Sequence, residues 1–282
     1  VHWPLQADLG APLEALLVVP AGIAAVRSWR TSSRAGRLHR RLVHAAWRGR
    51  GARRLGQAAV GAWLVGEADP LQELAADRRV ILKTWARFVA LDEGFTWLEP
   101  APQVRERLER AWATLGDRPR VGVHIRRGDH ALAIARTPTD AFFRRMDELV
   151  RQDGTTAFLV ATDDAAVEDE ARRRFPGRVA VLPKRGRDRV ATASVQDALV
   201  DLLALARCTA VLGTYASTFG KTAAEHGRIP YEVVGTGARW VPGEGPMIDP
   251  PDPVWLARQG RPGGAYDGVR RGPSTASSPT DS

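Results

Sequence analysis

Cysteine is almost missing: Cys208 stands alone in 282 residues. That excludes an intrachain disulfide and a zinc site built from several thiolates, and it sets the expectation of a reducing, cytoplasmic setting. Long apolar runs are missing too. The best stretch, ALLVVPAGIAAV from Ala15 to Val26, is broken by Pro20 and is shorter than the ~20 residues that span a bilayer. Acidic residues are absent from Val26 to Arg54, where arginines crowd. No Asp-x-Asp triplet, the usual metal-holding pattern of nucleotide-sugar enzymes, occurs anywhere. The chain opens on Val1 with neither a methionine nor the charged start and apolar middle of a signal peptide.

What is present suits a folded protein: 44% hydrophobic and 26% charged residues, with length enough for two domains. A net charge of +9, from 41 basic and 32 acidic residues, favours anionic partners such as nucleotides, nucleic acid or acidic lipids. The arginine-rich stretch from Val26 to Arg54 carries only Trp29 and Trp47 as aromatics and no nucleic-acid motif, so it reads first as a solvated basic face. Peripheral membrane contact through it is the remaining use.

The spacing of Val104, Leu108, Ala111 and Leu115 predicts a helix, and Gly116 with Pro119 marks a boundary. Beyond it, strands and helices alternate. RVGVHI is a strand; a helix follows with Thr137 as N-cap, Pro138 first and Asp140 closing a capping box. TAFLVAT is a strand, DAAVEDEARRRF a helix, RVAVLP a strand, and SVQDALVDLLALARCT a helix capped by Ser194. AVLGTY, STFGKTAAEHG and IPYEVV complete the alternation as strand, helix and last strand. This order predicts a parallel, Rossmann-like sheet over residues 118–256, an amino-terminal α/β domain over 1–117, and a disordered Gly/Pro/Ser-rich tail over 257–282.

Open parallel sheets bind ligands at the carboxyl ends of their strands. After RVGVHI come His124, Arg126, Arg127 and Asp129. Strand alternation puts His124 and Arg126 on one face and Arg127 on the other, so Arg126 is the candidate to fork onto a phosphate and Arg127 to serve structure. After the next strand, Asp163 and Asp164 offer a metal ligand, a sugar contact or a helix cap, and capping is the better reading for at least one of them. At the last helix start, Ser217, Thr218 and Phe219 offer hydroxyls, backbone N–H groups and an aromatic face.

His124-x-Arg126-Arg127-x-Asp129, FLVATDD and the late Asp201…Ser217-Thr218-Phe219 block together resemble the GDP-fucose-dependent fucosyltransferases of the α1,2, α1,6, protein O-fucosyl and nodulation-type groups. The resemblance covers about half the chain. It implies a GT-B-like α/β fold of two Rossmann-like domains. The amino-terminal domain would be incomplete, because the family's first strand and Gly-x-Gly-Asn-Arg-like loop should precede Val1. It also implies a GDP-sugar donor held by His124, Arg126, Asp201, Ser217, Thr218 and Phe219. Asp201 would read guanine, since one carboxylate accepts both N1–H and the exocyclic amine. Arg126 is the implied catalytic group and Asp129 a candidate base, with no metal and no cofactor besides the donor. A glycan or other hydroxyl is the implied acceptor. The alternatives are a non-catalytic nucleotide-sugar-binding remnant and a basic protein binding nucleic acid or membrane surfaces.

Overall fold

The computed structural model describes residues 99–128, 131–188 and 191–242, together with short pieces nearer the amino terminus at 2–4, 11, 13–18, 24–26, 42, 45, 53–55, 80–82. The chain divides into two compact units, Val1–Ala45 with Leu91–Met247 and Ala46–Ala90 with Ile248–Ser282. In the second unit the described elements are two short strands, β3 (Arg53–Leu55) and β4 (Val80–Leu82), paired in parallel. The tail over 257–282 and most of the basic stretch lie outside the described residues.

The first unit carries another parallel pair, β1 (His2–Pro4) with β2 (Ala24–Val26), and a six-stranded sheet. The strands of that sheet are β5 (Arg120–Ile125), β6 (Ala157–Thr162), β7 (Val179–Ala180), β8 (Ala210–Gly213), β9 (Tyr231–Val233) and β10 (Arg239–Trp240). The helices are α1 (Pro102–Ala113), α2 (Ala131–Arg136), α3 (Thr139–Gln152), α4 (Ala165–Arg174), α5 (Thr192–Leu205) and α6 (Thr218–Gly227).

The strand order is β10-β9-β8-β5-β6-β7, with every pair parallel except β9–β10. From β5 the chain winds outward through β6 and β7, then returns to lay β8 on the other side of β5. The direction of winding therefore reverses between β5 and β8, the arrangement that opens a ligand crevice outside their carboxyl ends.

Alternation along the strands separates two cores. Val123, Ile125, Phe158, Val160 and Leu212 face Phe142, Phe143 and Met146 of α3 and Val167 and Ala171 of α4. Leu159, Ala161 and Val211 face Val104 and Leu108 of α1, the apolar side of α5, and Ala223 and Ala224 of α6. Helices on both faces explain why β6 is buried along its whole length, as its unbroken apolar run demands.

Several helix starts differ from the sequence-based expectation. α3 begins at Thr139 with Pro138 as N-cap and no side-chain cap bond. The Thr137 hydroxyl accepts instead from the Tyr215 N–H at 3.1 Å, a long-range partner that local spacing does not reveal. α5 starts three residues early, with Ala191 in place of Ser194 as N-cap, and Ser194 inside it donates to Asp188 at 2.9 Å. IPYEVV is not the last strand, since β10 pairs antiparallel to it through a turn with Gly235 and Gly237 at positive φ.

Candidate functional site

The β5 ladder with β8 runs from Val121 to Val123, and beyond it Thr214 continues the connection with its side chain. Its hydroxyl donates to the His124 carbonyl at 2.9 Å and accepts from the Arg126 N–H at 3.0 Å. Thr214 is fully buried, so the two loops that leave β5 and β8 are stitched together at the crevice.

Past that stitch the side chains divide as strand alternation requires. The Arg127 guanidinium turns toward α3, donating to Thr139 Oγ1 at 2.9 Å, the Thr137 carbonyl at 2.6 Å and the Arg126 carbonyl at 3.0 Å, above the Phe142 ring. His124 turns toward α6 and stacks on Phe219, with ring centroids 4.7 Å apart. It is buried, and its Nδ1 has no hydrogen-bond partner among the described residues. Burial holds its pKa down at about 4, opposed by the nearby Asp163 charge and reinforced by Arg126 and Arg127, so the ring is neutral at physiological pH.

Asp163 shapes the turn that follows. One carboxylate oxygen accepts from the Arg127 N–H at 2.7 Å, and the other accepts from the Gly128 N–H at 3.0 Å and meets Arg126 Nη1 at 3.2 Å. A Cβ at Gly128 would come within 2.9 Å of that oxygen, which is why this position suits glycine. Asp164 caps α4 by accepting from the Ala166 N–H at 2.9 Å. The adjacent acids thus have separate tasks, one orienting an arginine and one starting a helix. Asp129 lies outside the described residues.

At the end of β8 the chain reaches α6 through Ala216, whose φ of 54° is unusual for a residue with a Cβ. Ser217 is the N-cap of α6, yet its side chain makes no capping hydrogen bond. The Phe219 ring, in the first turn of α6, thus stacks on His124, and Ser217 and Thr218 stand at that same helix start, while Arg126 lies at the end of β5, the strand next to β8. Such a helix start accepts an anion, and a flat apolar face beside a neutral imidazole accepts a ring or sugar.

Asp201 occupies a different environment. It lies on the buried side of α5, 3.2 Å from Lys184 Nζ, and Lys184 also pairs with Glu168 at 2.9 Å. Burial raises the Asp201 carboxyl to about 6, while Lys184 pulls it down and Glu168 and Asp197 push it up. Sequence reasoning passed over Lys184. Its one available signal was a lysine, one of three in an arginine-dominated chain, placed directly after the expected strand RVAVLP.

Similarity to known proteins was sought in three ways. No protein-family model matches the chain, and no curated protein matches it. Among solved structures, the NodZ α1,6-fucosyltransferase soaked with GDP-fucose superposes with a TM-score of 0.52 at 17% identity, covering 85% of this chain and 86% of that one. The chain shares the fold of that structure. Two further likenesses are weaker: fucosyltransferase NodZ from Bradyrhizobium (22% identity, TM-score 0.37, 52% of this chain and 48% of that one) and POFUT1 in complex with GDP (14%, 0.38, 51% and 49%). In these two alignments the chain spans about half the length of its neighbour. The α/β, GT-B-like fold class expected from the sequence agrees with the doubly wound sheet and with the longer superposition.

Proposed function

We propose that this chain is a glycosyltransferase that moves fucose from GDP-fucose to a hydroxyl acceptor, with inversion and without a metal. The observation that carries the reading is the crevice at the β5–β8 switch point. There, the Arg126 N–H is bonded to Thr214, which leads from β8 toward α6, a helix whose N-cap hydroxyl is not used for capping, and a neutral, buried His124 stacks on Phe219. The NodZ structure of the same fold was soaked with GDP-fucose, which supports a nucleotide sugar as ligand.

In the proposed reaction the acceptor oxygen attacks the anomeric carbon from the face opposite the diphosphate. The bond from that carbon to the β-phosphate oxygen breaks, and its electron pair leaves with GDP. Arg126 holds the charge gathering on the diphosphate, oriented from behind by Asp163, while α6 presents N–H groups to the same anion. The acceptor proton passes to a general base, for which Asp129 is the candidate. Phe219 and His124 flank the nucleoside or sugar, and Asp201 reads the guanine edge. No cofactor besides the donor is invoked, and the setting is cytoplasmic.

Calorimetric titration of the full chain with GDP, ADP and UDP tests the donor assignment. Preference for GDP is expected, and equal affinity for all three overturns it. Incubation with labelled GDP-fucose on an acceptor array, with and without chelator, then tests transfer itself. GDP binding with no label transferred to any acceptor would favour the non-catalytic remnant. Salt-sensitive retention on DNA or anionic vesicles, with no GDP binding, would favour the basic binding protein.

A further inference from the structure

The segment joining β7 to α5 is where the structure holds charges that the reaction above does not use. We infer that Lys184 is a positioning residue for base recognition: shared between Glu168 and Asp201, it keeps the Asp201 carboxylate ionised and turned so that it can accept the donor's guanine edge. The inference rests on the guanine reading of Asp201.

The geometry supplies the argument. Lys184 Nζ lies 2.9 Å from Glu168 Oε1 and 3.2 Å from Asp201 Oδ2, and all three side chains are more than nine-tenths buried. Glu168 is held in turn by Arg187 at 2.6 Å. Asp197, one helical turn before Asp201, is paired with Arg107 of α1 at 2.7 Å and with Arg185 at 2.8 Å. Three carboxylates are thus gathered in low-dielectric surroundings, and the charged groups that act on Asp201 are Lys184, Glu168 and Asp197. Lys184 is the cation among them. On the elements packed against α5, Arg107 is engaged with Asp197, and α6 contributes Lys221, Glu225 and His226.

Without the ammonium, two like charges would face each other away from water, and one carboxyl would take up a proton. A protonated Asp201 presents an O–H in place of an acceptor, so it cannot receive both guanine donors. Lys184 meets Oδ2 at 3.2 Å, and an ionised carboxylate carries a second oxygen, Oδ1, with acceptor capacity of its own. The carboxylate is therefore charged on one side and still able to accept on the other. Burial raises its proton affinity toward neutral pH, which makes the contribution of the lysine decisive in the working range.

The test is titration of this chain of 282 residues with GDP and ADP at about pH 7 and about pH 9, using wild type, K184M, K184R, E168Q and D201N. K184M should lose GDP-over-ADP preference at the lower pH by on the order of tenfold, and regain it at the higher pH as Asp201 ionises unaided. K184R retains the charge and should retain the preference, which separates the effect from misfolding. E168Q leaves the ammonium wholly to Asp201, so its preference should persist to lower pH than in wild type. Unchanged preference in K184M, with D201N losing it, overturns the inference while leaving the guanine reading intact. Tighter GDP binding in K184M also overturns it, because Lys184 would then be a competitor for the site. A wild type without preference, or a D201N variant that keeps it, defeats the guanine reading itself.

Discussion

Both ends of the six-stranded sheet carry arginines, and they use them differently. At the amino end, Arg118 donates to the Thr155 and Gly177 carbonyls, Arg178 to those of Gly154 and Thr156, and Arg120 to those of Leu115, Gly116 and Arg118. These guanidinium groups tie down loop carbonyls. At the carboxyl ends of β5, β6 and β8, Arg127 also ties down carbonyls, but Arg126 pairs with Asp163, and among the described residues His124 has an unbonded ring nitrogen and Ser217 makes no cap bond. A basic surface is therefore no guide to a site. What distinguishes the carboxyl end is polar capacity that the fold has not consumed.

The largest expected effect would break this comparison outright if it failed. Arg126→Ala should lower fucosyl transfer by about 10²–10³-fold, the scale for removing one group that stabilises developing charge. Arg118→Ala at the other end should leave transfer unchanged and lower only the melting temperature. Steady-state rates on both variants decide the point, and equal losses would remove the distinction between the ends.

Acid titration comes next. His124 is held neutral to about 4 in the fold and protonates near 6.5 when unfolded. Its contribution is present above the unfolded value and is lost as pH falls from 6.5 toward 4, amounting to about 3 kcal/mol. Asp201 acts with the opposite sign, since its native proton affinity is raised to about 6 from 3.8, so protonation stabilises the fold as pH falls through that interval. Denaturation midpoints should decline first between 6.5 and 6 and flatten below. His124→Phe should abolish the early decline.

The two ends of α6 sharpen the contrast within one helix. A Cβ at Gly227 would lie 2.0 Å from the Ala206 carbonyl oxygen, where backbone cannot yield cheaply. Gly227→Ala should cost about 2 kcal/mol of stability with GDP affinity preserved, as denaturant melts and titration would report. The smallest effect is a crossed pair at two helix starts. Asp164→Ala removes a real cap bond and should cost about 1 kcal/mol without altering GDP binding. Ser217→Ala removes no cap bond and should weaken GDP binding with stability nearly unchanged.

The residues of the crevice were legible wherever a short-range rule governs them. Alternation along RVGVHI separated Arg126 from Arg127, and the structure shows the Arg127 guanidinium bound to the Thr137 carbonyl and the Thr139 hydroxyl on the α3 side. The adjacent acids Asp163 and Asp164 were legible as a cap and something else; which was which depended on the 2.7 Å bond from the Arg127 N–H, 36 residues away. Thr137 was misread as a cap because its partner is the Tyr215 N–H, 78 residues distant. Thr214 and Lys184 carried no local pattern, since each acts across strands or between helices.

Composition and periodicity by themselves determined the α/β alternation, the parallel run of β5 to β9 and the strand ends where polar chemistry gathers, because burial of apolar side chains at period 2 or 3.6 is a local constraint written residue by residue. Only the tertiary structure decided which polar groups are consumed and which are left over. The hydrogen bonds that join β5 to the ends of β6 and β8 span 36 to 90 residues, and the desolvation that holds His124 down and Asp201 up comes from elements packed around them in space, which no local pattern records.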